Sequence, residues 1–132
     1  MTKIYTVLFF LSFSAISYSQ VILSLDDDTA YIDSIATFTK NVKSDSIKCL
    51  SSFRLSKLYL MVQDVKKYRE YLDEGNRLKT KSPFLEDVSL YYNAYSFAEK
   101  GDLGGYEKAL LKANEKLKKY RSKEAYRHRA II

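Results

Sequence analysis

Apolar residues recur three or four positions apart through most of this chain, which is the spacing of an α-helix that buries one face. Val65, Tyr68 and Leu72 form one such stripe, and Leu103 and Leu110 belong to another. Charged residues fill the positions between them. The pattern predicts an all-α fold with a lead-in helix over residues 29–41, helical hairpins over about 45–80 and 83–120, and a further helix from 122.

The two predicted hairpins are copies of one unit. Aligning Gln63-Asp64 with Gly101-Asp102 gives an offset of 38 residues (101 − 63). At that offset, small residues coincide where helices would cross, and large residues coincide between them. The matching pairs are Ser56 and Ala94, Gly75 and Ala113, Tyr59 and Phe97, Val65 and Leu103, Tyr68 and Tyr106, and Leu72 and Leu110. A unit that recurs in this way predicts an α-helical repeat array.

Short polar residues mark the predicted helix starts. Their side chains accept hydrogen bonds from the free N–H groups of a first turn, and Pro suits that turn because its missing N–H is not needed there. Gly75 lies inside a helix, where it costs roughly 1 kcal/mol relative to Ala, so we expect close approach of a neighbouring helix. The candidate starts are Ser44-Asp45, Asp64, Ser82-Pro83 and Ser122.

The lead-in helix has its own start signal and its own apolar face. Three consecutive carboxylates at 26–28 favour the positive end of a helix dipole. The spacing then predicts one buried face, formed by Tyr31, Ile32, Ile35 and Phe38.

The duplicated hairpin resembles the tetratricopeptide repeat. In that family a helix-turn-helix unit has a small residue midway through its first helix, an aromatic residue three later, a Gly-Asp-aromatic turn and a small residue late in its second helix. The second copy carries Ala94, Phe97, Gly101, Asp102, Leu103, Leu110 and Ala113 at those places. The first copy carries Ser56, Tyr59, Gln63, Asp64, Val65, Leu72 and Gly75.

The resemblance covers residues 50–120 approximately and departs from the family pattern at several places. Tyr68 and Tyr106 stand where the family usually has Ala, and Thr80 and Lys118 stand where it has a closing Pro. The family repeats every 34 residues or so, about four fewer than the offset found here. The implied architecture is an α-solenoid of antiparallel hairpins.

The resemblance also implies a binding surface, because the first helices of tetratricopeptide hairpins line a concave groove. Aromatic rings beside cations suit an extended peptide or a carboxylate, since rings give contact area and Arg gives directed hydrogen bonds. For Tyr91 and Tyr92 a second interpretation stays open, in which they pack against the preceding hairpin. The predicted groove residues are Phe53, Arg54, Lys57, Met61, Tyr91, Tyr92 and Tyr95.

The predicted function is therefore non-enzymatic binding of a protein or peptide partner. An exported start followed by Tyr-rich repeats is similar to the sensor half of certain bacterial membrane-bound transcription regulators. In those proteins, repeats outside the inner membrane precede a transmembrane helix and a cytoplasmic DNA-binding domain. The alternatives are a self-associating structural protein and a truncated remnant without independent activity.

Both ends of the chain bear on these alternatives. Residues 1–19 have one lysine, an apolar run and small residues at a peptidase spacing, which predicts a signal peptide cut before Gln20. An uncleaved anchor is the other interpretation. Cleavage would place residues 20–132 in the periplasm or outside the cell, without a membrane span. The apolar ending Ala130-Ile131-Ile132 predicts either a longer protein or a helix that docks on a partner or on a second copy.

Composition and charge argue against several other classes of function. The net charge of +6 comes mainly from the basic C-terminal stretch over residues 112–129, which we interpret as a solvated helix face without a nucleic-acid partner. Cys49 has apolar neighbours and is expected to be a core residue. His128 lies 79 positions after it (128 − 49), so the pair gives no zinc pattern. We predict no catalytic residues, no metal site and no cofactor.

Overall fold

The computed structural model describes residues 29–129, except for the side chain of Arg127. All regular structure in that range is helical, which confirms the all-α prediction for it. The elements are α1 over 29–41, α2 at Asp45–Met61, α3 at Val65–Leu78, a 3-10 turn at Lys79–Lys81, α4 at Pro83–Glu99, α5 at Leu103–Leu117 and α6 at Lys123–Arg129. None of the described helices is long and apolar enough to cross a membrane.

The chain divides into two units, residues 1–34 and residues 35–132. The described part of the first unit is the beginning of α1. Three predictions lie outside the described residues: the signal peptide over 1–19, the carboxylate start at 26–28 and the apolar ending at 130–132.

Side-chain caps start the helices of the second unit. The Ser44 hydroxyl accepts from the Ile47 N–H at 3.4 Å, and the Asp64 carboxylate accepts from the Lys67 N–H at 3.1 Å. Ser82 begins α4 in the same way, with Pro83 as its first residue. The predicted capping residues are therefore confirmed at these three helix starts. They can be predicted because a cap depends on only a few adjacent residues.

The turns of the two hairpins share one backbone conformation. Gln63 and Gly101 are both left-handed, with φ of 63° and 77°. The N–H of Asp64 donates to the Tyr59 carbonyl at 2.9 Å, and the N–H of Asp102 donates to the Phe97 carbonyl, also at 2.9 Å. Both bonds span five residues and satisfy a carbonyl in the last turn of the preceding helix. The repeat seen in the sequence therefore extends to equivalent hydrogen bonds.

In the first hairpin, the Phe53 ring of α2 packs directly against Gly75 of α3. A Cβ added to Gly75 would lie 2.6 Å from two carbons of the Phe53 ring. The Cys49 thiol donates to the Gly75 carbonyl at 3.3 Å. Phe53 and Cys49 are both fully buried. Close approach of α2 is therefore the reason that α3 carries a glycine here.

Helix α4 packs against both helices of the first hairpin. Its Tyr92 ring stacks on Phe53 of α2 with ring centroids 5.1 Å apart. Its Asn93 exchanges two amide hydrogen bonds with Asn76 of α3, at 2.8 and 2.9 Å. Helix α5 returns antiparallel to α4. Just past its end, Tyr120 donates to the Asp87 carboxylate of α4 at 2.8 Å.

Several predicted core residues are exposed. Phe38 and Tyr31 are each 52% exposed, whereas Thr39 is buried, so the predicted apolar face of α1 is wrong at these positions. The Thr39 hydroxyl donates to the Ile35 carbonyl at 2.7 Å, which makes its burial inexpensive. Leu103 is 72% exposed because it is the first residue of α5 and lies at the hairpin turn.

Candidate functional site

Helix α6 contacts the side of α2 and α4 on which the sequence predicts a groove. Glu124 of α6 accepts from the Arg54 guanidinium of α2 at 3.4 Å. His128, one turn later, is 2.8 Å from the Tyr92 hydroxyl of α4. Helix α6 therefore covers part of this α2–α4 face.

His128 anchors α6 on that face and is only 2% exposed. Its ring lies 4.4 Å from the Tyr91 ring and 5.0 Å from the Tyr92 ring, measured between centroids. Its Nδ1 is 2.7 Å from the Glu124 carbonyl, which can only accept. In the neutral imidazole, Nδ1 therefore carries the proton and Nε2 accepts from Tyr92. The sequence carries no local signal for this contact, because His128 and Tyr92 are 36 residues apart.

Three of the predicted groove residues belong to the core instead. Phe53, Tyr91 and Tyr92 are 0%, 1% and 4% exposed, so the prediction that they line an open groove is wrong. Phe53 lies between Gly75 and Tyr92, and Tyr91 and Tyr92 lie under His128. For the two tyrosines, the packing interpretation is the correct one.

Lys57 links α2 to two tyrosines of α4. Its Nζ donates to the Tyr91 hydroxyl at 2.7 Å and lies 5.4 Å from the centre of the Tyr95 ring. The Tyr91 and Tyr95 hydroxyls are 2.9 Å apart. Burial raises the pKa of Tyr95, and its hydrogen bond with Tyr91 raises that pKa further. The hydroxyls stay protonated at neutral pH, so this cluster offers hydrogen bonds and cation–π contacts rather than proton transfer.

The other four predicted groove residues keep some accessible surface. Arg54, Lys57 and Tyr95 are half-buried, and Met61 is 69% exposed. On α2, Arg54, Lys57 and Met61 follow one another at helical spacing, and Lys57 reaches Tyr95 on α4. We call these four residues the open edge of the α2–α4 face. They combine two cations with an aromatic ring and a flexible apolar side chain.

The described residues hold no recognisable metal site, and their one cysteine is a buried thiol. No group of three or more His, Cys, Asp and Glu residues within 29–129 could hold a metal ion. Burial raises the pKa of the Cys49 thiol to about 11. A thiol that stays protonated at neutral pH is a poor nucleophile, so Cys49 acts as a core residue.

Comparisons with protein-family models, with curated proteins and with solved structures give no match. The arrangement of the α2–α4 face is therefore the basis for a functional argument.

Proposed function

We propose that this chain is a non-catalytic, protein-binding helical repeat module whose hairpins stack as in tetratricopeptide arrays. In this proposal it forms the exported sensor part of a bacterial signalling or transcription regulator. The main support is the pair of equivalent hairpin turns at Gln63 and Gly101, together with α4 packing on both α2 and α3. Side-by-side stacking of copied hairpins is the way repeat arrays build extended binding surfaces.

The open edge supplies chemistry that suits a peptide with a carboxylate next to an apolar side chain. Arg54 already pairs with the Glu124 carboxylate, so its guanidinium is oriented for such a group. Met61 offers a flexible apolar contact that adapts to different side chains. A guest carboxylate would take the place of Glu124 on Arg54.

Selection of a random peptide library on the immobilised chain tests this proposal. We expect enrichment of peptides that carry an acidic residue beside a bulky apolar one. Fluorescence anisotropy with an enriched peptide should then show binding that is about tenfold weaker for the double variant Arg54→Ala and Tyr95→Ala, a loss equivalent to roughly 1.4 kcal/mol. Circular dichroism would establish that the variant keeps its helix content.

A matched control uses a cation and a tyrosine outside the open edge. Lys66 and Tyr126 are both exposed, and neither belongs to the α2–α4 edge. The double variant Lys66→Ala and Tyr126→Ala should bind the enriched peptide as the unaltered chain does. Equal affinity of the unaltered chain and the Arg54/Tyr95 variant would remove the open edge from the proposal.

A further inference from the structure

A concave site lies between α4 and α5, on a different face of α4 from Tyr91 and Tyr95. It is a cleft of about 410 Å³, a volume within the usual range for small-molecule sites. Its apolar lining comes mainly from Leu90, Ala94, Phe97 and Ala109.

Two lysines stand at the rim of the cleft. Lys108 and Lys112 are one helical turn apart on α5, and both side chains line the opening. Both are exposed, and no ion pair joins either of them to another residue of the described range 29–129. Two adjacent cations without a neutralising carboxylate favour an anionic group at this rim.

The equivalent place in the first hairpin is lined by different side chains. At the offset of 38, Ala109 corresponds to Tyr71 (109 − 38), whose ring stacks on Tyr59 with centroids 5.5 Å apart. The position that holds only the Ala109 methyl group in the second hairpin therefore holds the Tyr71 ring in the first. A hollow of about 350 Å³ beside that place is lined by residues of α1, α2 and α3, most of which have polar or charged side chains.

The charge at the rim is also reversed between the hairpins. Lys108 and Lys112 correspond to Glu70 and Glu74 (108 − 38 and 112 − 38). Glu74 is neutralised by Lys48 at 3.6 Å and by Arg77 at 2.8 Å. The second hairpin thus differs from the first in two ways: the lining of its cleft is mostly apolar, and its rim is cationic.

We propose that the α4–α5 cleft binds an alkyl carboxylate of medium chain length. The alkyl chain would lie between Leu90, Phe97 and Ala109, where each buried methylene is favourable, and the carboxylate would face Lys108 and Lys112. This site is separate from the open edge of the α2–α4 face, so either proposal can fail without the other.

Isothermal titration calorimetry of the whole chain with decanoate, below its micelle concentration, tests this inference. We expect saturable binding with one site per chain. Decyltrimethylammonium has the same alkyl chain with a cationic head, and it should bind at least about tenfold more weakly. Acetate has the head group without the chain and should give no measurable binding.

Two variants copy the first hairpin into the second. Ala109→Tyr should fill the cleft and abolish decanoate binding. The double variant Lys108→Glu and Lys112→Glu should reverse the preference, so that decyltrimethylammonium binds more tightly than decanoate. Both lysines are exposed, so the second variant tests the proposal even if Ala109→Tyr lowers the stability of the fold.

The matched control changes net charge by the same amount at other exposed lysines. The double variant Lys43→Glu and Lys66→Glu should keep the affinity and preference of the unaltered chain, because both residues lie outside the cleft. Undiminished decanoate binding by the folded Ala109→Tyr variant would overturn the proposal. So would binding of an acidic, leucine-rich helical peptide in the absence of any decanoate binding, since the cleft would then be a protein-docking surface.

Discussion

The two hairpins share their turns but differ in how much of their second helix they bury. Helix α3 buries Tyr68, Leu72, Gly75 and Leu78, whereas α5 buries only Ala113 and Leu117. The difference lies in the neighbours: α2 and α4 both contact α3, while α5 is contacted by α4 and by the short α6. Local sequence therefore determines the hairpin, and the adjoining helices determine which of its apolar residues become core.

The largest expected effect comes from truncating the equivalent tyrosines of α3 and α5. Tyr68 is 1% exposed, whereas Tyr106 is half-buried. Tyr68→Ala should lower the free energy of unfolding by about 3 kcal/mol, as expected for removal of a buried aromatic ring. Tyr106→Ala should lower it by roughly 1 kcal/mol, because only part of its ring area is lost from the core. Urea unfolding followed by circular dichroism measures both.

The conservative change at the same position is the control for this pair. The Tyr68 hydroxyl is buried without a hydrogen-bond partner among the described residues. Tyr68→Phe removes that hydroxyl and keeps the ring, so it should leave stability unchanged or raise it by up to about 1 kcal/mol. Equal losses for Tyr68→Ala and Tyr106→Ala would contradict the difference in burial between the two hairpins.

Helix starts and hairpin turns could be predicted from the sequence because their causes are local. The caps at Ser44, Asp64 and Ser82 depend on side chains within three residues of the N–H groups they satisfy. The duplication also indicated that Gln63 and Gly101 occupy equivalent places, and both adopt the left-handed conformation. Hydrogen bonds between residues this close in sequence restrict the backbone to a few turn and cap conformations.

The candidate site could be predicted only in part, because its geometry depends on contacts between distant helices. The spacing of Phe53 and Tyr92 shows that each lies on one face of its helix, but it does not show whether a neighbour covers that face. Helix α6 supplies the cover through His128 and Glu124, which are 36 and 70 residues from Tyr92 and Arg54. The opposite charges of Glu70 and Lys108 can be read from the sequence. Only the structure shows that Lys108 borders an apolar cleft.

A glycine in each hairpin gives the next test. Gly75→Ala should lower stability by about 1 kcal/mol net, because about 2 kcal/mol of overpacking against Phe53 outweighs the roughly 1 kcal/mol gain in helix propensity. Gly104→Ala in α5 should raise stability by up to about 1 kcal/mol, since a Cβ there would contact nothing closer than 3.9 Å.

Thermal unfolding of the two alanine variants decides between packing and propensity. Opposite signs are expected. A gain for Gly75→Ala would mean that the Phe53 ring can move aside, and that close packing is not the reason for glycine in α3. The variant that combines Gly75→Ala with Phe53→Leu should recover part of the overpacking cost, because the leucine side chain is smaller and more adaptable.

The smallest expected effect is that of Gln63→Gly, one of two variants that exchange the left-handed residues of the two turns. Gln63 holds φ of 63°, where a side chain is strained, and Gly101 holds φ of 77° without that strain. Gln63→Gly should therefore raise the free energy of unfolding by about 0.5 kcal/mol, and Gly101→Gln should lower it by about 1 kcal/mol. The gain is the smaller change because glycine also increases the conformational freedom of the unfolded chain. Urea unfolding of both variants measures the pair, and a loss of stability in Gln63→Gly would mean that the glutamine side chain contributes more to the first turn than its backbone conformation costs.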